Sequence, residues 1–144
     1  MSATPTLRLQ GKVAVITGAA SGIGLGTLER FVAEGAQVLA ADIQDEAGRA
    51  LAERFPGQVR FAHCDVSDPP QIKAAIELAV AEFGGLDILF SNAGHGGSPA
   101  GVQDFDVAGW DATHAVLLRS VAAGASYATP HMIRRGGGDR KSVV

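Results

Sequence analysis

Cysteine is nearly absent from this chain: Cys64 stands alone, so no internal disulfide can form. No apolar run approaches the roughly 20 residues that a membrane-spanning helix needs. The segment Met1 to Gln10 lacks the apolar stretch and cleavage pattern of a secretory leader, and an intracellular, cytoplasmic location is expected. Charge of either sign is sparse, the net being −3. Arg134, Arg135, Arg140 and Lys141 make too small a basic cluster for a nucleic-acid footprint, so neither nucleic acid nor membrane is an expected partner. His63, His95 and His114 do not stand at metal-ligand spacing with one another or with Cys64. No metal site is expected, these histidines read as structural or exposed, and Cys64 reads as a small apolar filler at the end of a buried strand.

What the chain does have is apolar bulk and glycine. A length of 144 residues fits one domain that buries roughly 70% of its unfolded surface. Its 47% apolar content and 19 glycines exclude a disordered chain and imply tight turns or close backbone approaches. Val13 to Thr17 is a short β-branched run closed by Gly18, the profile of a strand covered on both faces. From Ile23 to Glu34 the residues Ile23, Leu25, Leu28, Phe31 and Val32 recur at helical spacing, and Gly35 ends the segment. The alternation continues with strands over Gln37 to Asp42, Val59 to His63 and Leu86 to Ser91, and helices over Asp45 to Phe55 and Pro69 to Phe83. This order predicts a parallel, doubly wound α/β sheet with helices on both faces. A Gly, Ser and Pro-rich loop from His95 to Phe105 precedes one long helix over Val107 to Arg135, weakened at Gly124 and kinked at Pro130. The expected organisation is a flexible tail over 1–10, a nucleotide-binding domain over 11–135 and an irregular tail over 136–144.

Chemistry concentrates at the junction of the first strand and its helix, in Thr17-Gly18-Ala19-Ala20-Ser21-Gly22-Ile23-Gly24. Glycines there let backbone approach a pyrophosphate, and the free N–H groups and positive dipole end of the helix favour its charge. This Thr-Gly-x-x-x-Gly-Ile-Gly pattern resembles the cofactor fingerprint of the classical short-chain dehydrogenase/reductase family, and the resemblance extends from about Leu7 to Arg135. It implies a Rossmann-like fold, incomplete on its C-terminal side, and a cofactor site built from Gly18, Ser21, Gly22, Ile23, Gly24, Asp42, Ile43, Asp65, Val66, Asn92, Ala93 and Gly94. Asp42, closing the second strand, matches the acid that accepts hydrogen bonds from the adenosine ribose in NAD-preferring members. Ser21 stands where NADP-preferring members often carry a basic residue, so NAD is expected over NADP. Asp65-Val66 resembles the adenine-contacting pair. Ser91-Asn92-Ala93-Gly94 resembles the Asn-Asn-Ala-Gly motif on the nicotinamide side, with Ser in place of the first Asn.

The family's hydride transfer uses a Tyr as general acid/base, a Lys four residues later that lowers its pKa, and a Ser that positions the substrate oxygen. An unassisted phenol titrates near pH ~10, so the cation is essential to that chemistry. The one tyrosine, Tyr127, is followed four residues on by His131 and falls in the long helix, which makes it a packing or interface aromatic. Leu117 aligns with an Asn that the family uses to link its lysine to a water chain. No catalytic residue is therefore assigned, and the chain reads as an oxidoreductase by descent that keeps the cofactor half and is inactive as it stands. A non-enzymatic NAD-binding module is the alternative, and an S-adenosylmethionine-dependent methyltransferase fits the glycine spacing less well. The fourth strand, rich in Leu86, Ile88, Leu89 and Phe90, is expected to present an open apolar edge, and two copies are expected to pair through the 107–135 helix.

Overall fold

The structure, a computed structural model, describes residues 7–136. β1 (Val13–Thr17) is buried along its whole length, as its unbroken apolar run requires. β2 (Gln37–Asp42) and β3 (Val59–His63) match the expected spans, whereas β4 (Ile88–Phe90) is only three residues long. The four strands are parallel in the order β3-β2-β1-β4, with Val15 opposite both Leu39 and Leu89. The crossovers are α1 (Gly22–Ala33), α2 (Asp45–Arg54) and α3 (Pro69–Phe83). β4 falls short of Leu86 to Ser91 because the backbone beyond Phe90 turns to a side chain: the Asn92 N–H donates to Thr17 Oγ1 at 3.0 Å.

Strand alternation divides the core in two. Val13, Val15, Leu39, Ala41 and Leu89 face one layer with Ile72, Ile76 and Ala79 of α3. Ala14, Ile16, Val38, Ala40 and Val59 face the other with Leu28 and Val32 of α1 and Leu51 of α2. Two expectations are corrected here. β3 is an outer strand and only Val59 within it is buried, so Cys64 follows a half-exposed strand although its own side chain is buried. The N-terminal tail does not extend to Gln10: the Leu9 N–H donates to Glu34 O at 2.9 Å and Leu9 packs on the α1 layer, so the chain is tied down from Leu7. Residues 1–6 and 137–144, most of the two expected tails, lie outside the described residues.

The long helix is a rod with an interruption. After a single 3-10 turn over Val102–Asp104, α4 (Val107–His114) leads into a π-helical segment (Ala115–Arg119), which continues as α5 (Ser120–Arg134) with Pro130 inside it. A π turn adds a residue and re-aims the side chains that follow. Here it directs Val116 and Leu117 toward the carboxyl end of β4, and Arg119 donates to Ser67 O at 2.7 Å. Gly124 lets α5 pack closely on the sheet, since a Cβ there would lie 3.1 Å from Leu89 Cδ2. At the opposite end Arg135 donates to Gly11 O and lies 3.4 Å from Asp87, whose carboxylate accepts the Val13 N–H at 2.9 Å.

Candidate functional site

In a parallel sheet all carboxyl ends lie along one edge, so the turns after β3, β2, β1 and β4 form a row in that order. The turn after β1 is built from glycines for different reasons. Gly18 adopts φ +66°, and a Cβ on it would lie 2.9 Å from Ala93 Cα. Gly24 is buried, and a Cβ there would overlap Gly18 O and crowd Asn92 Nδ2, so this glycine seats α1 against the turn. Gly22, at φ +55°, faces open space and is required for its backbone conformation alone. Ser21 is the N-cap of α1 and its hydroxyl makes no cap bond. The first helical turn therefore keeps its N–H groups without a side-chain cap, beside the cleft that Ser21 and Ile23 line, and with the positive dipole end behind them.

Asp42 is the pivot of the next turn. Only 5% exposed, its carboxylate accepts the Ala20 N–H through Oδ2 at 2.9 Å and the Gln44 N–H through Oδ1 at 3.0 Å. It therefore fixes the glycine turn relative to β2, and it is not a solvated loop acid. Gln44 Nε2 lies 3.4 Å from both Asp42 Oδ1 and Ser21 Oγ, spanning the gap between the two residues. After β3, Asp65 Oδ1 accepts the hydroxyl and N–H of Ser67, and these two bonds, the hydroxyl's first, hold its carboxyl below the ordinary carboxylate range. The exposed Ile43 and the buried Val66 stand as apolar walls beside these acids.

At the end of β4, Thr17 Oγ1 accepts the N–H groups of both Asn92 and Ala93, and Asn92 Nδ2 donates to Thr17 O at 3.1 Å and Gly18 O at 3.3 Å. Asn92 thereby locks the β4 turn to the glycine turn. One cleft of about 400 Å³ gathers Gly18, Ser21, Ile23, Asp42, Ile43, Asp65, Val66, Asn92, Ala93 and Gly94. Gly22 and Gly24 do not line it and act on its shape instead. Ile23, grouped with the core positions of its helix by periodicity, is 76% exposed and belongs to this cleft.

Sequence reading did not assign Thr17, Gln44, Cys64, His95 or Val116 to the site. Thr17 was legible as the first residue of the glycine pattern; Gln44 and Val116 carry no local signal. Cys64 lines the cleft with its thiol pushed up to about 11, by burial first and then by Asp65, Asp42 and Asp68, so it is an inert wall. Tyr127 packs against the α3 and α5 layer and does not line the cleft. Among the described residues no group of His, Cys, Asp and Glu could hold a metal ion, and no helix is long and apolar enough to cross a membrane. A row of donors flanked by two carboxylates suits a ligand with a central diphosphate and hydroxyl or amino groups to one side.

The profile of the short chain dehydrogenases matches residues 12–139. The chain is 43% identical over 136 residues to tropinone reductase-like 2 of Erythroxylum coca, covering 92% of this chain and 50% of that protein. It is 50% identical over 93 residues to (+)-borneol dehydrogenase 1 of Salvia officinalis, covering 65% of this chain and 36% of that protein. Among solved structures, a short-chain dehydrogenase/reductase described as glucose/ribitol dehydrogenase from Brucella melitensis superposes with a TM-score of 0.82 at 27% identity, over 88% of this chain and 54% of its own. The chain spans about half the length of the curated relatives that match most of its own length.

Proposed function

Because the chain belongs to the short chain dehydrogenase family, we propose that its cleft binds a dinucleotide, NAD in preference to NADP, as the cofactor half of an oxidoreductase acting between an alcohol and a carbonyl. The observation that carries this reading is the convergence of the glycine turn, Asp42, Asp65-Val66 and Asn92-Ala93-Gly94 on one cleft. The residues fit the cofactor: glycine stands where a Cβ would close the turn, and the helix start offers unpaired N–H groups to a diphosphate. Bound NAD would supply the hydride-accepting ring. Asp42 orients the adenosine ribose with the acceptor capacity left beside its two backbone bonds, and its charge repels a ribose phosphate. Ser21 offers that phosphate no cation. Asp65 and Val66, with Ile43 opposite, hold the adenine by one polar edge and two apolar faces.

We assign no proton-transfer residue within these 144 residues, and by themselves they are expected to bind without turnover. A second reading, a non-catalytic NAD-binding module, is favoured by Tyr127 lying in the packed helical layer and Leu117 lying against Gly94. We place the protein in the cytoplasm, where a free buried thiol such as Cys64 persists. Calorimetric titration of the purified chain with NAD and with NADP tests the cofactor reading. Saturable binding that prefers NAD supports it, and a folded chain that binds neither nucleotide refutes it. Both readings expect no oxidation of added NADH by a panel of aldehydes and ketones, and turnover by this chain would overturn that expectation and remove the non-catalytic reading.

A further inference from the structure

We infer that His95 is a positioning residue for the nicotinamide-ribose half of the dinucleotide, donating a hydrogen bond into the cleft from Nε2; the inference rests on the dinucleotide reading above. Three observations carry it. First, His95 lines the same cleft as the glycine turn and Asp42. Second, it follows Asn92-Ala93-Gly94 at the end of β4, the strand at the far side of the row from Asp65 on β3. With Asp65 and Asp42 taking the adenosine half and the α1 start taking the diphosphate, the β4 turn is where the other half of a dinucleotide lies. Third, the Gly97 N–H donates to His95 Nδ1 at 3.0 Å. A nitrogen that accepts carries no proton, so the neutral ring is fixed as the tautomer protonated on Nε2. Gly97, at φ +80°, makes the tight reversal that brings its N–H back onto the ring.

The ring is thus oriented by its own loop, and its remaining nitrogen is a donor free for a ligand oxygen. The other cleft-lining side chains at this end are Asn92, which is committed to Thr17 and Gly18, and Ala93 and Val116, which are apolar. His95 is therefore the cleft-lining side chain at this end with an uncommitted donor, and a ribose hydroxyl or carboxamide oxygen is the matching acceptor.

The test compares wild type with His95→Ala and His95→Gln in calorimetric titrations with NAD and with ADP, which retains only the adenosine diphosphate half. His95→Ala should weaken NAD about three- to tenfold and leave ADP unchanged, and His95→Gln, which keeps a donor, should recover part of the loss. Equal losses for NAD and ADP, or no loss for NAD, overturn the inference while leaving the dinucleotide reading intact. Failure of the wild type to bind NAD overturns both. The tautomer is read separately from ring nitrogen chemical shifts at alkaline pH, where a proton on Nδ1 in the free chain also overturns it.

Discussion

Asp42 makes a single carboxylate serve two neighbours, and that sets what its removal does. It holds the Ala20 and Gln44 N–H groups, and in the proposed function it also meets the adenosine ribose. Asp42→Ala is expected to weaken NAD roughly tenfold to a hundredfold, the range of a charge-assisted bond, and to narrow the preference over NADP. Paired titrations with the two nucleotides check both parts, and an unchanged ratio would reject Asp42 as the discriminating residue. The glycines of α1 give a contrast of opposite sign within three residues. Gly24→Ala drives a methyl into Gly18 O and should destabilise the fold by about 1–3 kcal/mol and disturb the cofactor turn. Gly26→Ala meets nothing within 4 Å on an exposed helical position and should stabilise by about 0.5–1 kcal/mol. Thermal melts of the two variants on either side of wild type are the check. The sequence presents them as two glycines two residues apart in one helix, Gly24 closing the motif and Gly26 just beyond it; only the distance to Gly18 O shows the difference in packing.

At the scale of the element, the turn from β3 into α3 couples chemistry to structure. Ser67 holds the Asp65 carboxyl below its ordinary value, and Arg119 of the π segment holds the Ser67 carbonyl. Because the folded value is depressed, the stability contributed by this pair is present above the unfolded carboxylate value of about 3.9 and is lost as pH falls through the folded value. Ser67→Ala should raise the Asp65 titration toward the ordinary range and flatten the loss of stability at acid pH. A carboxylate titration followed by NMR reads the first effect and melts across the acid range read the second; an unmoved Asp65 would assign the shift elsewhere. The spans of β1, β2, β3 and α3 were legible because long apolar runs and clear breakers bound them. The π segment was not legible, since nothing in Ala115-Val116-Leu117-Leu118-Arg119 distinguishes a π turn from an α turn. Contacts to Gly94 and Ser67 from other elements accompany it.

At the scale of the whole molecule, the expected association has a visible surface. Among the described residues β4 pairs only with β1, and Ile88 and Phe90 are half-buried on the α1 side of the sheet. Val107, Trp110, Leu118 and Ile133 of the helical rod are exposed, and Trp110 packs in tilted geometry against the rings of Phe105 and His114. A strand edge that is unpaired among the described residues and exposed apolar side chains on the helical rod together favour self-association. Sedimentation is expected to show concentration-dependent species, reduced by Leu118→Glu. A sharp monomer melting cooperatively above about 65 °C would count against both the association and the marginal stability it implies.

The sequence by itself determined the strand and helix alternation, the doubly wound sheet and most of the positions that gather at the cleft. These follow from apolar periodicity and from glycine and carboxylate motifs, which are local and survive translation into structure residue by residue. Tertiary structure alone decided that Gly24 and Asn92 act on the shape of the glycine turn, that β3 is a half-exposed edge, that Leu7 to Gln10 are held, and that His95, Gln44 and Val116 face the cleft. Each of those facts depends on a neighbour far away in the chain: Gly18 against Asn92, Leu9 against Glu34, the π segment against β4. Such pairings arise when the layers pack and carry no period or motif that one stretch of sequence could display.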